Sequence, residues 1–434
     1  MRIGEVIERS PIKGFHYAIL AACFIGWMFD AMNSGLISFV LKPLTVEFNL
    51  DPHITGLMLS AWLMGMLLGG VLLGTIADYV GRKPTIATAM VLYSVPAGLS
   101  GLAQGWWQIF VLRFLAGIGA SGFMVVTSTL LSEYVPVGNR GRFVAFLESA
   151  WAFGWLLGAS LSLLLAPRYG WRGVILTGFV PIAAILIFWA VVPESLRYLG
   201  ERGRRSEAIS ILREKGLIAP GEERVLELTG SKKAKVTIAE LWSPGYRKRT
   251  AMLWIHWFCI VLTYWGIFLW APYILEADRG ISLVRTIKYT LLMTTMQIPG
   301  YWSGAFLIER VGRKRLLALY MALAGVGSLL FSVASTDLEA LLWGSVISFF
   351  NLGAWGITYA YTPELYPTYM RGTGAGWANS VGRVGGILGP IIVGFLLKIS
   401  GSKYLIFLLF ALLHFLSSTD VLALGVETKG RPLE

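Results

Sequence analysis

Long stretches of this chain carry no charge at all. Ile54 to Ala77 has none, nor has Thr85 to Phe110, nor Gly173 to Pro193. A helix crosses the hydrocarbon core of a bilayer with about 20 apolar residues. Twelve such segments can be read, at 17–41, 54–77, 85–105, 107–132, 143–166, 173–193, 250–275, 287–308, 315–334, 338–361, 373–397 and 402–424. Only 14% of the residues are charged, where a soluble domain carries about a quarter. The expected fold class is therefore an all-α membrane protein with twelve transmembrane helices.

The chain also repeats itself. Asp78-Tyr-Val-Gly81-Arg82-Lys83 reads against Glu309-Arg-Val-Gly312-Arg313-Lys314, at an offset of 231. Glu133-Tyr-Val-Pro136 with Arg140-Gly141 reads against Glu364-Leu-Tyr-Pro367 with Arg371-Gly372 at the same offset. Inside the apolar segments, Gly35 matches Gly266, and Gly154 and Gly158 match Gly385 and Gly389. Two copies of one six-helix unit are expected: an N-terminal bundle over 1–193, a basic linker over 194–249 and a C-terminal bundle over 250–434. Ligand sites in such repeats lie near the midplane between the copies, which rock around them.

With both termini inside, 27 of the 37 Lys and Arg fall on the cytoplasmic side, 8 outside and 2 within spans. This positive-inside distribution sets orientation and accounts for the net charge of +12 without a nucleic-acid partner. The linker holds 13 of those basic residues and a helical pattern around Glu207–Arg213. The first 14 residues are polar and the first span is followed by eleven more, which reads against a cleavable signal peptide. Cys23 and Cys259 lie in spans and read as packing residues. The four histidines are scattered, so no metal-ligand spacing appears and no cofactor is expected. No phosphate-binding Gly-x-x-x-x-Gly-Lys-Ser/Thr loop occurs, and no nucleophile–base constellation stands out, which disfavours a nucleotide-driven pump and an enzyme.

The repeated charges sit at helix ends on the inner face. Asp78, Glu133, Glu309 and Glu364 end helices; Arg82 and Arg313 stand in short loops, where Gly81 and Gly312 suit tight turns; Arg140 and Arg371 open helices. Opposite charges there are expected to pair across the two halves as a cytoplasmic gate that breaks when the inner side opens.

These residues carry a resemblance. Gly74-Thr-Ile-Ala-Asp78-Tyr-Val-Gly81-Arg82-Lys83 resembles the signature loop of the major facilitator superfamily. Pro193-Glu194-Ser195-Leu-Arg197 and Glu427-Thr-Lys-Gly-Arg431 resemble marks of its sugar-porter and organic-ion branches. Phe29-Asp30-Ala-Met, Gly141–Trp151, Tyr264–Trp270 and Met296–Tyr301 are similar to the bacterial niacin transporter family. The resemblance implies a two-bundle secondary transporter. It also implies a second aspartate three places after the first, where this chain has Asn33. In the proton-linked sugar porters, a matching aspartate and arginine in helices 1 and 4 are held to couple protons.

Charges within a bilayer cost at least about 2.5–3.5 kcal/mol on insertion scales and mark functional candidates. Asp30, midway along the first span, and Arg113 in the fourth have no same-helix partner and are expected to pair with each other. A carboxylate that alternates between an arginine and a proton is a proton coupler. Arg383 lies 12 residues beyond Arg371, roughly 18 Å deep. Its planar fork suits a carboxylate, so it is the candidate for binding an anionic substrate. Its alternative is an internal pair with Glu148, which could instead belong to the inner gate. Trp151, Tyr264, Trp265, Gln297, Trp355, Tyr359 and Asn379 complete a candidate substrate site with Asn33, Glu148 and Arg383; aromatic faces beside an arginine fit nicotinate- or benzoate-like solutes.

The expected function is proton-coupled uptake of a small organic acid by a monomer in the cell membrane with cytoplasmic termini. The partners are a small-molecule substrate, the proton and the lipid bilayer. The alternative is a proton-coupled sugar or polyol symporter.

Overall fold

A computed structural model describes residues 3–218 and 237–430. These residues form helices and loops; no strand occurs among them. The first group of helices is α1 (Ile3–Arg9), α2 (Gly14–Phe39), α3 (Leu41–Glu47), α4 (Pro52–Val80), α5 (Arg82–Leu99), α6 (Trp106–Tyr134), α7 (Val137–Leu176) and α8 (Pro181–Val191). Three short helices follow: α9 (Leu196–Glu201), α10 (Arg205–Glu214) and α11 (Ile238–Leu241). The second group is α12 (Arg247–Arg279), α13 (Leu283–Thr295), α14 (Gln297–Val311), α15 (Arg313–Val333), α16 (Asp337–Glu364), α17 (Thr368–Ser400) and α18 (Lys403–Leu424). The helix expected around 207–213 is α10. Part of the expected basic linker, 219–236, and Arg431 lie outside the described residues.

Ten helical stretches are long and apolar enough to cross a membrane. One of them, 138–191, is 54 residues long, more than twice the length of a single crossing. It kinks at Gly170, whose φ of 65° lies in the left-handed region. The span expected at 287–308 is not one continuous helix. It breaks at Met296 into α13 and α14. Pro299 has no N–H to offer the carbonyl four residues before it, which favours a break at that turn.

Local chemistry sets several other boundaries. Pro52 opens α4, where a missing N–H is harmless. Thr336 and Glu339 form a reciprocal capping box on α16. Gly81 and Gly312 end α4 and α14 with φ of 111° and 98°, so the repeated turns share one strained backbone that only glycine adopts readily.

Within the first group α2 packs on α7, and α6 on both α4 and α5. Within the second, α12 packs on α17 and α18, α15 on α16 and α18, and α14 on α16. The groups meet along α4 and α17, α7 and α13, and α2 and α12. The α4–α17 seam is tightest far from the basic loops. A Cβ on Gly394 would stand 2.2 Å from the Pro52 carbonyl oxygen, so the backbones touch there. Beside that contact, Lys398 Nζ lies 3.3 Å from Asp51 Oδ2 and 3.2 Å from His53 Nδ1 across the seam.

Candidate functional site

Two repeated charge clusters lie at the basic end. Arg82 pairs with Asp78 at 3.0 Å and with Glu133 at 3.8 Å. Arg313 pairs with Glu309 at 2.7 Å and Glu364 at 3.0 Å. Ser195 donates to Glu133 and Thr428 to Glu364. Glu194 accepts from the backbone N–H groups of Arg82 and Lys83, and Glu427 from that of Arg313, so each glutamate caps a helix start. These pairs run within each group of helices, not across the two groups as the sequence suggested. Arg140 and Arg371 likewise turn to nearby backbone, donating to the carbonyls of Val135 at 3.3 Å and Pro363 at 2.9 Å. Glu194 and Glu427 stand in the two motifs that resemble the sugar-porter and organic-ion branches, but a capping role was not read from sequence. Their signal was present: each is an acid followed by a hydroxyl residue, soon after its copy's last apolar segment.

A chamber lies between the groups. It is lined by Glu148 and Trp151 of α7, Trp257, Val261, Tyr264 and Trp265 of α12, Tyr301 of α14, Leu352, Trp355 and Tyr359 of α16, and Asn379 and Arg383 of α17. The walls are aromatic and packed largely edge-to-face. Trp257 meets Tyr359 at 5.3 Å and Trp355 at 5.7 Å, and Tyr264 meets Trp355 at 5.7 Å. Such pairs fix ring planes more firmly than area burial alone. Trp151 joins the two groups: its Nε1–H donates to Tyr264 Oη at 2.6 Å, and its ring meets Trp265 at 5.8 Å.

Arg383 donates through Nε to Asn379 Oδ1 at 3.3 Å and through Nη1 to Met66 Sδ at 3.1 Å. A thioether is a weak acceptor. The guanidinium is within electrostatic range of Asp30 and Glu148, yet among the described residues no carboxylate pairs with it within 4.0 Å. The buried Nε1–H of Trp355 also has no partner among the described residues. The chamber thus holds a cation and an indole donor with capacity to spare.

The buried charges of α2 and α6, Asp30 and Arg113, are not arranged as expected. Arg113 does not meet the Asp30 carboxylate. It donates to the backbone carbonyls of Ser34 at 2.9 Å and Asn33 at 3.4 Å, and lies 4.9 Å from the centre of the Trp62 ring. Asp30 is fully buried, and neither of its oxygens has a hydrogen-bond partner among the described residues. Asn33 donates to the Gly178 carbonyl at 3.2 Å and does not line the chamber. Gln297 is buried at the start of α14, also off the lining. Glu148 faces the chamber with Arg383, not the basic-end clusters. Trp257, Val261, Tyr301 and Leu352 join the lining without having been singled out. Trp257, Val261 and Tyr264 recur at helical spacing, a periodicity that could have found them.

Comparison with known proteins places the architecture. The Major Facilitator Superfamily matches at residues 23–390 and 289–433. The niacin transporter NiaP of Acinetobacter baylyi is 39% identical over 430 residues, covering 99% of this chain and 98% of that protein. The gallate transporter of Pseudomonas putida is 30% identical over 428 residues, covering 98% and 95%. The xylose transporter XylE from E. coli, in a partially occluded inward-open conformation, superposes with a TM-score of 0.80 at 18% identity, over 97% of this chain and 100% of that one; at that identity the likeness speaks to fold. The chain belongs to the Major Facilitator Superfamily, a family of multi-pass membrane transporters and not of enzymes.

Proposed function

We propose that this transporter takes up small aromatic carboxylates, nicotinate or a close relative, with protons as the coupling ion. One observation carries the reading: a guanidinium with no paired carboxylate stands in an aromatic-walled chamber between the two groups of helices. Arginine binds a carboxylate through two parallel N–H bonds, and the unpartnered Trp355 indole adds a third donor. Aromatic faces suit a flat ring. The relatives named for niacin and gallate, both aromatic acids, support this class over the sugar alternative.

Charge balance supports the proton. Arg383 is within electrostatic range of two acids, Glu148 in the lining and Asp30 outside it. Adding an anionic substrate leaves buried negative charge uncompensated unless a proton arrives with it. Asp30 is the acceptor in this reading, since both its oxygens are without hydrogen-bond partners among the described residues.

The stretch 138–191 crosses twice, and α13 with α14 makes one broken crossing, giving twelve. The basic end faces the cytoplasm of the cell, as the positive-inside rule requires, and both termini lie on that side. One chain carries a complete chamber, so the unit of transport is the monomer.

The experiment is uptake into vesicles containing the purified protein. Nicotinate should accumulate when the vesicle interior is made alkaline, and its uncharged amide should not. Equal handling of acid and amide removes Arg383 from recognition; nicotinate uptake indifferent to the gradient removes the proton.

A further inference from the structure

The chamber lining carries two opposite charges. Glu148 comes from α7 and Arg383 from α17, so the opposite charges belong to different groups of helices. Each acts electrostatically on the other. They nonetheless stand farther apart than an ion pair, since no carboxylate lies within 4.0 Å of Arg383 among the described residues. The rest of the lining consists largely of Trp and Tyr rings. An aromatic wall with a carboxylate beside it is the arrangement that recognises cationic nitrogen. A guanidinium recognises a carboxylate.

We infer that Glu148 is a specificity-determining residue that reads a ring nitrogen of the ligand whose carboxylate Arg383 holds. The preferred ligands are dipolar heteroaromatic carboxylates, whose nitrogen is cationic or shares a proton with Glu148, over benzoates of the same size. The inference rests on the carboxylate reading of Arg383 and adds to it the opposite end of the ligand.

The physical argument is one of matching. A dipolar ring carboxylate places its anion on Arg383 and its nitrogen by Glu148, and both buried charges are answered. A benzoate answers only Arg383. Glu148 must then take up a proton or remain as an uncompensated charge beside an apolar ring edge, which binding has to offset. Discrimination of this kind, where a polar group is left unmatched by the wrong ligand, reaches larger ratios than discrimination by shape.

The test is equilibrium binding to the purified full chain at pH 7, with three probes: N-methylpyridinium-3-carboxylate, pyridine-3-carboxylate and benzoate. The wild-type protein should bind the methylpyridinium at least about tenfold more tightly than benzoate, about 1.4 kcal/mol, with pyridine-3-carboxylate between. Glu148→Gln keeps the shape and removes the charge. It should bring the methylpyridinium and benzoate to within about twofold of each other, mainly by weakening the former. Glu148→Asp should keep the preference. Benzoate bound as tightly as the methylpyridinium by the wild type overturns the inference with no variant needed. An unchanged ratio in Glu148→Gln overturns it too. If Arg383→Ala binds all three probes as well as the wild type, the carboxylate reading fails, and this inference falls with it. If only the Glu148 ratios fail, the carboxylate reading stands.

Discussion

Two buried polar neighbourhoods, one in each group of helices, are built on opposite terms. Around Asp30 the bonding is incomplete: both carboxylate oxygens and the Arg113 Nε–H are without hydrogen-bond partners among the described residues. Around His256 the ring is fully engaged. Its Nδ1 lies 2.7 Å from Ser417 Oγ and its Nε2 lies 2.7 Å from Thr358 Oγ1. Thr358 gives its own proton to the Ala354 carbonyl, so it must accept from His256, which assigns the proton to Nε2. One residue on, Trp257 donates to Thr362 at 3.0 Å, and Thr362 to the Thr358 carbonyl. Consecutive residues of α12 are thus tied to hydroxyls one turn apart on α16. Trp257 is also a chamber wall. Buried polar groups are normally bonded. The completed network fixes a wall in place, whereas the incomplete one holds capacity for something that comes and goes.

That contrast can be broken at either side. The largest effect is expected from Asp30→Asn. It should abolish accumulation driven by a pH gradient while exchange of labelled for unlabelled substrate continues; accumulation surviving in the variant would give the incomplete side a static role. Arg383→Ala comes next. Truncating one member of a buried charge pair costs roughly 2–5 kcal/mol, so nicotinate affinity measured by titration should fall by about 30-fold or more, with the amide changed by less than about threefold. On the completed side, His256→Phe removes two hydrogen bonds and leaves Thr358 and Ser417 without the ring. A buried group left unsatisfied costs about 1–3 kcal/mol, and the expected loss of nicotinate affinity is about tenfold. His256→Gln keeps an N–H within reach of Thr358 and should lose less than about threefold. Equal losses in the two variants would mean that the ring only fills space.

The smallest effect serves as a control on a carboxylate outside the spans. Glu47 accepts from Trp171 Nε1 at 2.6 Å and from Arg172 Nη1 at 2.6 and 2.8 Å. Those bonds, the Trp171 indole first, hold its carboxyl below the ordinary value near 4.5. A depressed acid stabilises the fold above its unfolded pKa and loses that contribution as pH falls through the lower, folded value. Thermal unfolding should therefore show a small destabilisation only in strongly acidic buffer, and Glu47→Gln should lack that component. Glu47 and Arg172 are both substantially exposed, so solvent screening keeps it small.

Much of the architecture was legible because apolar length and a fixed repeat are properties of the chain itself. Tyr264, Trp265, Trp355, Tyr359, Asn379 and Arg383 were singled out as aromatic or polar residues in apolar stretches, and the fold brings them to one chamber. Which charges meet was not legible. Asp30 and Arg113 look complementary along the sequence, but their meeting depends on how two helices are rotated about their own axes. In the structure Arg113 finds backbone carbonyls of α2 instead. Asn33 and Gln297 are buried but do not line this chamber; Asn33 donates to the Gly178 carbonyl instead. The break at Met296 was legible only in part: Pro299 weakens the preceding turn, but a proline within a helix more often bends it than divides it.

The self-contained triads around Arg82 and Arg313 bear on how the molecule rocks. Each travels as a unit with its own bundle, so the halves can swing apart at the basic end without stranding these three-way ion clusters. Contacts between the groups run from mid-seam, where Trp151 donates to Tyr264 and Ser60 to the Ile387 carbonyl, to the far rim, where Lys398 meets Asp51 and backbone lies on backbone at Gly394. Bulk added at that rim should act as a doorstop.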